Sequence, residues 1–436
     1  MNMIPPTRLR KTINVLVFPG GTEIGLEIQK ALCRCKNVRL YSANLNVSNH
    51  APYIFARHLI LPSVHDLAFV DALNKVILEH RIDYIFPAHD DVILALAKNA
   101  DRIRAQVVSS PLETCLITRS KSETYRFLAG TIPVPDLYDN LEMIEQYPVF
   151  VKPDRGQGAQ GARVVYDKDH LSQLLKEDNG HFIVTEYLPG EEYTVDCFSD
   201  REAGLLFCGG RQRIRIRSGI SMSSKPVEDN LFTEYAQRIS RKLAFHGAWF
   251  FQVKRDRYGI LKLLEIAPRI AGTMAVHRVL GVNFPLLSLY EQMRIPIEIM
   301  VNSMDLQLDR ALVNRYSHRL SYRTVYIDLD DTLVVNGKVN IEVIRFLYQC
   351  VNAKKRIVLL TKHAGDLDKT LREHRLIGIF DEVVHMEESA SKADYIREMD
   401  AILIDDSFSE RKQVADRLGL LTFDCSMVEV LLDERV

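Results

Sequence analysis

At 436 residues the chain is long for one domain, and a length prior of about 150 residues per domain predicts two to four compact units. Fifty-six Lys plus Arg against 57 Asp plus Glu leave a formal charge of −1, so no global field selects nucleic acid or a membrane surface, and charge-based recognition must be local. No apolar run reaches the roughly 18 residues of a membrane span, the first residues lack a secretory signal's apolar core, and seven irregularly spaced cysteines fit reduced thiols; a cytoplasmic protein is expected.

From "INVLVFPGG" to "DYIFPAH", strand-like runs alternate with amphipathic helical stretches, which predicts a parallel, doubly wound lobe over residues 1–116. Its loop "FPGGTEIG" sets Gly20, Gly21 and Gly25 between strand and helix, where bare amides suit an anion or simply a tight turn. Ser42 stands where a dinucleotide fold wants an acid at the end of the second strand, which argues against NAD.

Residues 117–302 read as a mixed α+β unit with longer strands and glycine loops. In "YPVFVKPDRGQGAQGARVVYD", Lys152 ends a strand and Gly156, Gly158 and Gly161 follow before a second strand, a flexible hairpin able to close over phosphates. Glu186 and Glu192 flank the turn in "EYLPGEEYTVD". The run "GGRQRIRIRSG" has Arg211, Arg213, Arg215 and Arg217 at period two, which predicts one face of a strand suited to a triphosphate and a carboxylate, with one or two of the four facing solvent. In "FFQVKRDRYGILKLLEIAPR", a two-residue loop at Tyr258 and Gly259 sets Gln252 opposite Glu265, two oxygen donors suited to one Mg²⁺.

Over about residues 12–300 these elements resemble an ATP-grasp enzyme of the branch similar to the carbamoyl-phosphate synthase large subunit. The resemblance implies that Lys121 and Lys152, with Gly156, Gly158 and Gly161, hold the phosphates of ATP. Glu186, Leu188 and Glu192 would contact adenine and ribose, Gln252 and Glu265 would carry Mg²⁺, and Arg269 would steady the transferring phosphoryl group. Arg211 and Arg213 join the nucleotide-binding set on the charge argument above. One departure is Ala267 in "EIAPR", where the family places an Asn and with it a second metal oxygen. Lys254, on the same strand face as Gln252, is expected to replace part of that missing positive charge. Asp90 and Asp91 in "PAHDD" are expected to shape the acceptor pocket.

Residues 303–322 read as a polar linker, and 323–436 as a second α/β unit. "TVYIDLDDTLVV" crowds Asp328, Asp330 and Asp331 at the end of an apolar strand, where open α/β sheets place their sites and where a divalent cation relieves the repulsion. With Thr361 ending "RIVLLT", Lys392 opening a helix, and Asp405 and Asp406 ending "AILIDDS", the order resembles the haloacid dehalogenase (HAD) superfamily of phosphohydrolases. That resemblance implies Asp328 as nucleophile, Asp330 as general acid and base, and Thr361 and Lys392 as holders of the phosphoryl group. The Asp330 carbonyl would join Asp328, Asp405 and Asp406 around Mg²⁺. Thr332 would steady the loop, and Asp331 would serve structure. Only 28 residues separate Thr332 from Thr361, so no cap domain fits between them.

The expected whole is a bifunctional enzyme using ATP and Mg²⁺: a ligase for a small carboxylate and an amine, joined to a capless Rossmann-like phosphatase for a phosphorylated metabolite. No nucleic-acid or membrane partner is expected, and a homodimer is left open. The rivals are an ATP-grasp kinase and a nucleotide-sensing regulator with a decayed ligase site.

Overall fold

The computed structural model describes residues 11–156, 158, 160–176 and 182–435, so the first ten residues of the expected lobe lie outside the described residues. It divides into two compact units, one ending at Val313 and the other spanning Asn314–Arg435.

The first unit opens with β1 (Ile13–Phe18), β2 (Val38–Asn44), β3 (His58–Ile60), β4 (Tyr84–Pro87) and β5 (Gln106–Val107), all parallel in the order β3-β2-β1-β4-β5. The glycines of its first loop serve packing. A Cβ on Gly20 would lie 2.5 Å from the Cβ of Ser42, and one on Gly25 would lie 2.4 Å from the Gly20 carbonyl oxygen. The amides of Gly20 and Gly21 are taken by the Ala43 carbonyl and by Asn44 Oδ1, so neither is left for an anion.

A small antiparallel sheet follows, of β6 (Val149–Pro153), β7 (Arg163–Val165) and β8 (Phe182–Glu186), with β6 central. The main antiparallel sheet holds β9 (Glu192–Asp200), β10 (Gly204–Arg217), β11 (Ile220–Val227), β12 (Gly247–Arg255), β13 (Leu261–Ala267) and β14 (Leu308–Asp309), ordered β13-β12-β9-β10-β11-β14. Strand β14 lies within the expected linker and pairs with β11 through Ser223 and Ser224, so part of that segment is sheet. Period-two alternation divides β12 between its faces. Trp249, Phe251 and Val253 enter a core with Tyr235 and Ile239 of the helix Asn230–Lys242, and Phe250, Gln252 and Lys254 take the other face.

The second unit is a parallel sheet of β15 (Thr324–Ile327), β18 (Arg356–Thr361), β19 (Glu382–His385), β20 (Ala401–Ile404) and β21 (Leu421–Phe423), ordered β19-β18-β15-β20-β21. Between β15 and β18 lie only a short hairpin, β16 (Val334–Val335) with β17 (Lys338–Val339), and the helix Ile341–Asn352. Among the described residues no helix is long and apolar enough to cross a membrane.

Candidate functional site

The site-bearing face of the main sheet is built by register. Arg211, Thr194, Gln252 and Glu265 stand side by side on β10, β9, β12 and β13, and one pleat further on stand Gly209, Asp196, Phe250 and Ala267. The expected pairing of Gln252 with Glu265 is present, by a different local route. The hairpin tip is a three-residue loop, Arg257–Gly259, closed by the Asp256 amide on the Ile260 carbonyl at 2.9 Å, with Gly259 at φ +82°. That loop pairs Lys254 with Lys262 and Val253 with Leu263; a bulge then absorbs Leu264 and brings Glu265 opposite Gln252. The Tyr125 hydroxyl donates to the Leu264 carbonyl at 2.6 Å, and so ties the bulge to the helix Lys121–Leu128.

Tyr125 is a site residue that sequence reasoning missed. Its hydroxyl also accepts from Lys152 Nζ at 2.7 Å, and that ammonium lies 5.1 Å from the Tyr125 ring centroid and 5.8 Å from that of Phe150. Burial, reinforced by the nearby Lys121, pushes the Lys152 ammonium down to about 7. Lys121 Nζ reaches the carbonyls of Pro153 and Asp154 at 3.3 and 3.4 Å. Asp154 fixes this approach by accepting from Ser120 Oγ and the Ser122 amide, each at 2.7 Å. One cavity then collects Lys121, Gly156, Glu265, Ala267 and Arg269, with Asp90 and Arg119 in its wall. Arg269 lies 5.1 Å over the Phe250 ring and is gripped by Asp90 at 2.5 and 3.2 Å, while Asp91 holds Arg119 at 2.6 Å. Burial opposes the Asp90 charge, yet Arg269 outweighs it and holds the carboxyl below its ordinary range.

At the other end of the face the carboxylates are engaged by cations of this chain. Glu186 pairs with Lys262 beside the buried Leu188, and Glu192 pairs with Arg213, whose Nη1 also reaches Gln252 Oε1 at 2.8 Å. Lys254 is set across from Glu192 on β9 and lies 3.9 Å from its carboxylate, while on β13 it faces Lys262. The arginine run divides by burial, with two of the four facing solvent, and β10 carries register shifts on either side of Arg215 that cancel. Arg211 is buried against Asp196 and Arg213 is largely buried against Glu192, while Arg215 pairs with Asp309 in solvent and Arg217 is exposed.

In the second unit Asp328, Asp405 and Asp406 offer oxygens all within 4.8 Å of one another, a set that fits a hard divalent cation. Lys392 Nζ lies between Asp328 Oδ1 and Asp405 Oδ2, each at 2.5 Å. Lys392 begins a short 3-10 turn, Lys392–Asp394, rather than the expected helix. Burial, against the pull of Lys392 and with a push from Asp405, raises the Asp328 carboxyl to about 7. Thr332 Oγ1 accepts from the Asp406 amide at 2.9 Å, and Asp331 takes φ +55° to turn the loop. Thr361, fully buried, accepts from the His363 amide at 3.2 Å. The Asp330 carboxylate turns away from the three acids toward His363 Nδ1 at 2.9 Å, another residue sequence reasoning missed. Its signal was only its place two residues beyond Thr361.

A family model described as "ATP-grasp in the biosynthetic pathway with Ter operon" matches residues 178–307. The arginine-specific carbamoyl phosphate synthase large chain of Bacillus subtilis is 31% identical over 148 residues, 31% of this chain and 14% of that protein. The D-alanine–D-alanine ligase of Thermotoga maritima is 34% identical over 102 residues, 22% of this chain and 34% of the ligase. The chain thus spans no more than about a third of the length of these curated relatives. Among solved structures, biotin carboxylase from Campylobacter jejuni superposes with TM-score 0.55 at 14% identity, covering 66% of this chain and 73% of its own. The L-amino acid ligase from Bacillus licheniformis superposes with TM-score 0.52 at 18% identity, covering 64% and 74%.

Proposed function

We propose, from the ATP-grasp domain that the first unit carries, that this chain is an ATP-dependent carboxylate–amine ligase with a phosphomonoesterase joined to it. The observation that carries the ligase reading is the meeting of Lys121, Gly156, Glu265 and Arg269 on one cavity, with Gln252 paired to Glu265. Gln252 and Glu265 fit one Mg²⁺, which when bound neutralises phosphate charge, whereas Ala267 adds no oxygen. A substrate carboxylate oxygen attacks the γ-phosphorus of ATP, the bond to the β-phosphate oxygen breaks, and ADP departs with that electron pair. Lys121, Lys152 and Arg269 are cations placed to hold the oxygens that gain charge. The amine then adds to the acyl carbon, loses a proton and expels inorganic phosphate, leaving an amide.

For the second unit the reading is in-line attack of an Asp328 oxygen on a phosphomonoester. Asp330 gives its proton to the departing oxygen and later takes one from the water that hydrolyses the aspartyl phosphate. The cluster of Asp328, Asp405 and Asp406 around Lys392 supports it, as does the short connection from β15 to β18, which leaves the strand ends without an inserted cap. Two measurements test the pair of readings. Incubation with ATP, Mg²⁺ and pooled acids and amines, followed by mass spectrometry, must yield ADP with an amide; a phosphorylated product instead selects a kinase, and nucleotide binding without turnover selects a regulator. A phosphomonoester panel must release phosphate with wild type and not with Asp328→Asn.

A further inference from the structure

Three buried polar atoms without a hydrogen-bond partner among the described residues fall on one patch of the main sheet: Thr194 Oγ1, Arg211 Nη1 and Arg213 Nε. Thr194 and Arg211 are directly paired across β9 and β10 and are 1% and 2% exposed. A buried polar group left without a partner carries its full desolvation penalty, so two at adjacent positions call for an acceptor between them. Arg211 cannot swing away to find one. Its Nε and Nη2 are fixed on Asp196 at 2.8 and 3.2 Å, and Asp196 is braced from behind by His277 Nδ1 at 3.0 Å.

A fourth donor stands nearby. Arg310, whose amide follows β14 onto the Met222 carbonyl, makes no side-chain hydrogen bond or close ion pair with a described residue. It presses against Gly272, where a Cβ would lie 2.8 Å from its Nη2, and burial disfavours its charge, which feels Glu23 and Glu27 in its favour and Arg211 against it. Two guanidinium groups that repel each other, beside an unmet hydroxyl, are the chemistry of an oxyanion receptor.

The direction of β9 decides whose oxyanion it is. The strand starts at Glu192, a short turn after Glu186 and Leu188, and passes Thr194 before Asp196, about 13 Å from its start at 3.3 Å per residue. Arg211 stands in the row of Gln252 and Glu265, but its guanidinium is pinned one pleat further on, against Asp196, on the side away from Glu186 and Leu188.

We infer that Thr194 Oγ1, Arg211 Nη1 and Arg310 receive a second oxyanion of the ligase's substrate, so that the ligase half acts on a metabolite bearing a carboxylate or phosphate besides the group that reacts. The inference rests on the ligase reading for the name of the ligand, and its test separates the two. Protein saturated with Mg²⁺ and a non-hydrolysable ATP analogue, which fills the triphosphate subsite, is titrated calorimetrically with inorganic phosphate and, in a second arm, with succinate. At least one binds with one-to-one stoichiometry, and the arm that binds names the oxyanion. Thr194→Val and Arg310→Gln, neither of which touches Asp196, each weaken that binding at least about tenfold and leave analogue affinity within about twofold. The inference is overturned if neither anion binds, if both variants bind it as wild type does, or if both lose analogue affinity by the same factor, which would assign the donors to the triphosphate. If the analogue itself fails to bind wild type, the ligase reading falls alone, and the same titrations on nucleotide-free protein decide the receptor by the same criteria.

Discussion

Replacing Lys152 by Met should stabilise the nucleotide-free protein near neutrality. A free lysine titrates near 10.5, and burial holds this one at about 7, so the folded state carries a penalty for its charge at any pH where the unfolded chain is protonated. At roughly 1.4 kcal/mol per pH unit the penalty is about 4 kcal/mol at pH 7 and about 2 kcal/mol at pH 9. The sign follows from proton counts: between about 7 and 10.5 the unfolded chain binds more protons than the fold, so wild-type stability rises with pH in that window. Methionine removes the charge and keeps the apolar stem, but it forfeits the hydrogen bond to Tyr125 and the approach to two rings, together about 2 kcal/mol. The variant should therefore be more stable by about 2 kcal/mol at pH 7, with no advantage left near pH 9. Urea unfolding followed by fluorescence reads this unit by itself, because the chain has one tryptophan and Trp249 is fully buried in its main sheet. A variant less stable than wild type at pH 7, or a difference that does not change with pH, refutes the reasoning. The same variant should lose measurable ATP affinity, stability and function pulling in opposite directions at one residue.

Asp196→Asn removes the carboxylate that faces both Arg211 and His277 and should cost about 3–5 kcal/mol in the Trp249-monitored transition, whereas Asp328→Asn should leave that transition unmoved. Asp330→Asn should lower phosphomonoester turnover about 10²- to 10⁴-fold, most steeply for poor leaving groups that need protonation, as a series of aryl phosphates would reveal. Ala267→Asn restores an oxygen on the cavity wall beside Glu265 and should tighten Mg²⁺-dependent nucleotide binding by about tenfold, read by calorimetry over a Mg²⁺ series; unchanged Mg²⁺ dependence would place that side chain away from the ion.

Much of the first unit was legible because its cues are local. Period-two apolarity fixes which face Gln252, Lys254 and Phe250 take, and glycine punctuation marks the hairpins. The pairing of Gln252 with Glu265 emerged from a two-residue loop that is absent, since a longer tip and the bulge at Leu264 compensate each other. The partner of Lys254 comes from β9, a pairing no local cue announces, and the arginine run divides into a buried pair, Arg211 and Arg213, and an exposed pair, Arg215 and Arg217, around two register shifts that cancel. Ion-pair partners were not legible at all. Arg269 and Asp90 lie 179 positions apart, and nothing in either neighbourhood announces the other. In the second unit the acids that converge are those that end neighbouring parallel strands, which a strand pattern can reveal, while His363 meets Asp330 only through the path of a loop.

The surplus residue at Leu264 acts as slack between the tip of the β12–β13 hairpin and its functional end. Changes of length at Arg257–Gly259 can be taken up there, with Tyr125 still fastened to the spare carbonyl, before they reach Glu265. Sequences that differ at this tip can therefore drift freely while the oxygen pair behind it stays in step.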